Sequence, residues 1–133
     1  QGDAISTDAL GNLYVCGNYN STADLDPGAG VNNVTATGGS ADVFLIKLDA
    51  AGNFVWGKSF GGIGTDVAES IKADAAGNVY VTGNFPFTVD FDPGPATFNI
   101  SVAGSTDVYL LKLDIIFYGP KPLPEWTQKL AVM

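Results

Sequence analysis

Residues 8 to 28 read DALGNLYVCGNYNSTADLDPG and residues 74 to 94 read DAAGNVYVTGNFPFTVDFDPG, two segments 66 positions apart that agree at 13 of 21 positions. A second pair follows, GSADVFLIKLD at 39 to 49 and GSTDVYLLKLD at 104 to 114, offset by 65 and identical at 8 of 11. Any fold for this chain must therefore build one supersecondary unit of about 66 residues twice, which removes most single-core topologies from consideration.

Each unit reads as β-structure. Gly11-Asn12, Gly52-Asn53 and Gly77-Asn78 are turn dipeptides, each preceded at a fixed distance by an aspartate able to close the turn with its side chain. The runs 13 to 16, 43 to 46, 79 to 82 and 108 to 111 are β-branched and aromatic, and read as strands. Phe54-Val55-Trp56 and Asp66 to Ala73 supply further strands, giving four per unit. The runs are continuously apolar instead of alternating, so both faces of each sheet are expected to be covered. Repeated four-stranded antiparallel sheets that cover one another describe the blades of a β-propeller, whereas a β-sandwich would leave one face polar. The expected fold is all-β, with two four-stranded antiparallel propeller blades. Residues 1–62 form the first, its opening strand truncated, and 63–133 the second.

Composition narrows the function. Six lysines and no arginine stand against 14 acids, for a net charge of −8, so nucleic-acid binding, which needs clustered cations, is not expected. There is no histidine, which removes Ser-His and Cys-His nucleophile pairs and imidazole-based metal sites. Cys16 is the single cysteine and is flanked by apolar residues, as a small buried hydrophobe would be. Lys47, Lys112 and Asp114 interrupt the most hydrophobic runs, so no membrane insertion is expected.

The combination DAxGNxYVTGNF, TxDFDPG, DVFLIKLDAAGNFVW and FGGxGxD resembles the SBBP repeats, which are named for a seven-bladed propeller and occur in long secreted or surface proteins of bacteria. The resemblance covers residues 2 to 114. It implies an extracellular or cell-surface propeller and carries no catalytic residue over. Two departures are visible. Gln1 aligns with Val67, so the first repeat has no counterpart of Gly61 to Asp66, and the chain is expected to be a piece of a larger propeller or to be closed by association. After Asp114 the sequence IIFYGPKPLPEWTQKLAVM replaces the expected continuation and carries Pro120, Pro122 and Pro124. Trp126 to Leu130 either stand in for Trp56 to Phe60 as a fourth strand after a longer loop, or residues 115–133 are foreign to the repeat.

The most chemical-looking elements are Asp24-Leu25-Asp26-Pro27-Gly28 and Asp90-Phe91-Asp92-Pro93-Gly94, where acids at i and i+2 share a strand face. Asp24, Asp26, Asp90 and Asp92 are candidate calcium ligands. Calcium takes six to eight oxygens, and Pro27 and Pro93 occupy a wanted ligand position, so an Asp-Pro-Gly turn needing no cofactor is the favoured reading. Tyr14, Tyr19, Phe44, Trp56, Tyr80, Phe85 and Tyr109 could form a glycan-stacking surface. Because all but Trp56 recur within apolar strands, packing between blades accounts for them better. Lys47 and Lys112 interrupt those strands two residues before Asp49 and Asp114, which points to local ion pairs. Gly61-Gly62-Ile63-Gly64 precedes a strand, not a helix, so it reads as a blade-to-blade connection and not as a phosphate cradle.

The expected function is therefore that of a non-catalytic repeat module of a secreted or cell-surface bacterial protein, acting as a structural scaffold or an adhesive surface. Its expected partners are further blades or other copies of the chain, with a glycan or protein ligand possible. The alternatives are a calcium-stabilised adhesin or surface-layer module, and part of a carbohydrate-active enzyme with two acids placed across a substrate.

Overall fold

The computed structural model describes residues 1–102, 104–116 and 125–132. The first unit holds β1 (Gly2–Thr7), β2 (Leu13–Tyr19), β3 (Thr22–Asp24), β4 (Asn33–Thr35), β5 (Asp42–Leu48) and β6 (Phe54–Gly62). The second repeats it as β7 (Val67–Ala73), β8 (Val79–Phe85), β9 (Thr88–Asp90), β10 (Asn99–Ser101), β11 (Asp107–Ile116) and β12 (Glu125–Val132). Strands β1-β2-β5-β6 and β7-β8-β11-β12 form two antiparallel meanders, and neither sheet closes on itself. These are two four-stranded propeller blades, as the repeat requires. Between the second and third strand of each blade the structure adds a hairpin, β3-β4 or β9-β10, that the strand signals do not announce. Its strands are only three residues long, too short for a period to register.

One motif makes the sharp turns. The Asp8 carboxylate accepts hydrogen bonds from the amides of Leu10 and Asn12 and from the Asn12 side chain. Asp49 and Asp74 accept the matching set from Ala51 and Asn53 and from Ala76 and Asn78. The glycine before each asparagine, at φ +80°, +85° and +85° for Gly11, Gly52 and Gly77, takes the left-handed conformation that closes the turn. The Asp-x-x-Gly-Asn signature thus builds the same turn three times.

The two blades stack face to face. Tyr14, Cys16, Val43 and Leu45 of the first blade are buried in one cluster with Ile71, Ala73, Val79, Val81, Tyr109, Leu111 and Leu113 of the second. Phe60 at the end of β6 joins a second-blade aromatic group. Its ring centroid lies 5.6 Å from both Phe91 and Tyr109, and Phe85 lies 5.1 Å from Phe91. Polar ties reinforce the contact, with the Ala68 amide donating to Asn18 Oδ1 and the Ala73 amide to Ser6 Oγ.

Burial alternates along the strands, because within this one chain each described blade meets the other on one face, and the cover expected on the second face would have to come from further blades or other copies. Leu13, Val15, Phe44 and Ile46 on the far face of the first blade are half-buried, and Val108 and Leu110 on the far face of the second are 49% and 40% exposed. The apolar sequence is that of a two-sided blade, but each blade here has a neighbour on one side only.

The ion pair expected between Lys47 and Asp49 is corrected. Asp49 spends its carboxylate on the turn, and Lys47 Nζ sits 5.1 Å over the ring of Tyr14, whose hydroxyl donates to Asp8. Lys112 repeats this over Tyr80 at 5.7 Å, while the side chain of Asp114 lies outside the described residues. In the tail, β12 does form the fourth strand of the second blade. Its register is not the expected one: Lys47 faces Trp56, whereas Lys112 faces Lys129, and Trp126 falls opposite Ile115. Without an Asp-x-x-Gly-Asn turn to stop it at the position of Asp49, β11 runs on to Ile116, and the returning strand enters later.

Candidate functional site

The acidic loops lie at the ends of the two hairpins. Asp24 Oδ1 accepts the amides of Asp26 and Asn32, and Asp26 Oδ1 accepts that of Gly28. Asp90 Oδ1 accepts the amides of Asp92 and Phe98, and Asp92 Oδ1 that of Gly94. Each acid therefore holds its own loop through backbone hydrogen bonds, the role that the Asp-Pro-Gly pattern suggests. Among the described residues no three acids, cysteines or histidines are grouped so as to hold a metal ion. Asp24 is exposed, and Asp26, Asp90 and Asp92 are half-buried.

Two acids that the motif search passes over are the buried ones. Asp42 and Asp66 are 2% and 1% exposed, at either side of Gly61-Gly62. Asp66 Oδ2 accepts the Gly62 amide at 2.8 Å, and Asp42 Oδ2 accepts the Thr37 amide at 2.9 Å. The remaining oxygen of each, Oδ1, is sealed from solvent without a hydrogen-bond partner. Burial, with the nearby Asp42 charge adding to it and the Gly62 amide opposing it, pushes Asp66 up to about 7. Burial likewise raises Asp42, against the Thr37 bonds. A raised carboxyl beside a second acid is the pattern of an acid–base pair, but the Asp66 carboxyl is closed to solvent and cannot meet a substrate in this conformation. Asp66 thus holds the Gly62 end of the strand, and Asp42, packed beside Gly61, holds the turn at Thr37. Recurrence of Asp42 as Asp107, and the place of Asp66 in FGGxGxD, were the available signals in the sequence.

That strand end receives the hairpin of the next blade. Gly61 pairs with Asp90 and Gly62 with Val89, so β9 adds antiparallel to β6 and the first sheet runs β1-β2-β5-β6-β9-β10. The two glycines are required by contact. A Cβ on Gly61 would lie 2.3 Å from Asp42 Cγ, and one on Gly62 would lie 2.0 Å from the Thr88 carbonyl oxygen. Gly61-Gly62-Ile63-Gly64 is thus the blade-to-blade connection expected, and also a docking strip. Beside it an open cleft of about 280 Å³ is walled by Thr35, Asp42, Ser59, Phe60, Asp90 and Asp92.

Of the aromatic residues considered for glycan stacking, Tyr14, Tyr19, Phe85 and Tyr109 are buried, while Phe44, Trp56 and Tyr80 are half-buried. Cys16 is buried, and burial is the main cause that pushes its thiol up to about 11, far from a reactive thiolate.

Open antiparallel blades, repeated in sequence and stacked face to face with a hairpin latch between them, define a β-propeller-like repeat protein. No family model matches the chain. It is similar to the protein named uncharacterized WD repeat-containing protein L264 of Acanthamoeba polyphaga mimivirus, at 28% identity over 139 aligned positions. The alignment covers 94% of this chain and spans only 9% of the length of that relative. This similarity supports a propeller-like repeat and does not distinguish the SBBP type. No helix among the described residues is long and apolar enough to cross a membrane.

Proposed function

We propose that the chain is a non-catalytic SBBP-type repeat module of a secreted or cell-surface bacterial protein, and that it works by presenting blade faces and loops as a scaffold or adhesive surface. One observation carries the reading. The interface between the blades buries Tyr14, Cys16, Val43 and Leu45 of one against Val79, Val81, Tyr109 and Leu111 of the other, and the repeat equivalents of both sets face outward at the two ends of the pair. Tyr80, Thr82, Val108 and Leu110 are the equivalents of the first set; Leu13, Val15, Phe44 and Ile46 are those of the second. A head-to-tail contact of this kind propagates until a ring closes, so the exposed faces take further blades, whether from the same polypeptide or from other copies. The WD-repeat name of the similar viral protein agrees with a repeat scaffold. No imidazole is present to serve as a general base, and the acid raised furthest, Asp66, is closed to solvent, which favours a scaffold over the carbohydrate-active alternative.

The solution mass by light scattering tests this. Association to a multiple of 13.8 kDa is expected. Leu110→Lys, which places a charge on the open face of the second blade, should dissociate the assembly without unfolding the blade. A sharp monomeric mass with cooperative unfolding for the unmodified chain would overturn the reading.

A further inference from the structure

The chain shows the same hairpin in two states. In the second blade β9 is bonded on one side to β10 and on the other to the Gly61-Gly62 end of β6. In the first blade β3 pairs with β4 in the same register, Thr22 with Thr35 and Asp24 with Asn33 as Thr88 with Ser101 and Asp90 with Asn99, and these two strands form a sheet of their own. The hydroxyl pairs also match, Thr22 with Thr35 at 3.0 Å and Thr88 with Ser101 at 2.6 Å. Leu25 donates its amide to Asn32 across the hairpin and Ala36 its amide to the Ser21 carbonyl. By strand alternation the N–H and C=O groups of Thr22 and Asp24 therefore turn to the open edge, as those of Thr88 and Asp90 turn toward β6. Burial records the difference: Val89 is fully buried, whereas its counterpart Ala23 is half-buried.

We propose that this open edge of β3, together with the half-buried Phe44 on the open face of the same blade, is a docking site for the outer strand of another blade that ends in Phe-Gly-Gly. The occupied copy of the interface supplies the argument. Phe60 packs edge-on against Tyr109, and Phe44 is the repeat equivalent of Tyr109, so an incoming phenylalanine meets the Phe44 ring in the same way. The two glycines that follow let the strand come within bonding distance of the Thr22 carbonyl, as Gly62 does at Thr88. A second copy of this chain does not meet the requirement. Its own Phe60-Gly61-Gly62 is already paired with β9, and β12, with the sequence EWTQKLAV, carries no glycine. The edge therefore takes a blade of regular repeat sequence, whereas a second copy can cover the open faces without filling it.

The inference rests on the repeat-module reading, but its test is separate from the mass measurement. The isotopically labelled full chain is titrated with a blocked peptide of residues 55–66, VWGKSFGGIGTD, and amide and aromatic shifts are followed by nuclear magnetic resonance. The titration is run in parallel on the Leu110→Lys chain, whose associating face is spoiled while the β3 edge is intact. Saturable shifts at Thr22, Ala23, Asp24 and the Phe44 ring are expected. Replacing Gly62 of the peptide by valine, or Gly61 by N-methylglycine, should abolish them. Replacing its phenylalanine by alanine should weaken binding by roughly fivefold, the order of one aromatic pair. An absence of shifts at millimolar peptide in both chains, or equal shifts with the valine peptide, would refute the docking site while leaving the mass result standing. Slow exchange at Thr22 and Asp24 in the associated chain without peptide would assign the edge to a second copy and refute it equally. Peptide binding to a chain that proves monomeric would uphold the docking site even as the mass measurement counted against the reading above.

Discussion

Asp66 should make the protein lose stability as the solution is brought from mildly acidic to neutral pH, the reverse of what a salt-bridged carboxylate does. Its folded-state pKa, about 7, lies above the ordinary value of 3.8, because burial disfavours the charged form and the Asp42 charge adds to the penalty. Between those values the folded state binds more protons than the unfolded state, so the unfolding free energy falls as pH rises through the interval and levels off above about 7. The distance between 3.8 and 7, at ~1.36 kcal/mol per unit, sets a ceiling of about 4 kcal/mol on the loss. Half of that, ~2 kcal/mol, is a fair expectation once relaxation of the strand end is allowed for. Asp8, Asp49 and Asp74 work in the opposite sense. For Asp8 burial is opposed and outweighed by the bonds from Asn12, Tyr14 and Leu10; for Asp49 and Asp74 the asparagine side chain is the leading cause; all three are held below the carboxylate norm. Their contribution is present above pH ~4 and is lost as the pH falls through their lowered values, so stability should peak near pH 4 to 5. Urea unfolding at intervals from pH 4 to 8 measures the profile, and Asp66→Asn is the control. The amide keeps the oxygen that accepts from Gly62 but cannot ionise, so the decline toward neutral pH should flatten. If the two proteins gave parallel profiles from pH 5 to 8, the assignment of the slope to Asp66 would be refuted.

Gly62→Val should destabilise by more than ~2 kcal/mol, because the added Cβ meets the Thr88 carbonyl and must push β9 off β6; unchanged urea unfolding would show that the latch yields freely. Gly77→Val tests backbone conformation alone, since an added Cβ there finds only the Tyr14 hydroxyl at 3.8 Å while φ is +85°. A loss of more than ~1 kcal/mol is expected, and a neutral result would contradict the turn assignment. Millimolar calcium should leave the melting temperature unchanged if Asp24, Asp26, Asp90 and Asp92 only form turns. A rise at 10 mM calcium that vanishes in the Asp26→Asn, Asp92→Asn double variant would instead identify a weak site of the ~0.1–1 mM kind.

The repeat, the three Asp-x-x-Gly-Asn turns and the all-β class were legible in the residues, because each depends on interactions within a few positions of chain. An aspartate four residues before an asparagine, with glycine between, closes its turn whatever surrounds it. The loop aspartates were readable for the same reason, since they bond to amides two to eight residues away. What the sequence could not disclose depends on partners far along the chain. Gly61-Gly62 reads only as a blade-to-blade connection until β9 is seen to arrive beside it, and nothing local marks Asp42 and Asp66 as buried until the blades close over them. Continuous apolar strands likewise state that a blade needs cover on two faces, but not which face this chain covers. That choice belongs to tertiary structure, because burial is settled by which surfaces meet, and here only the contact between the two blades brings them together.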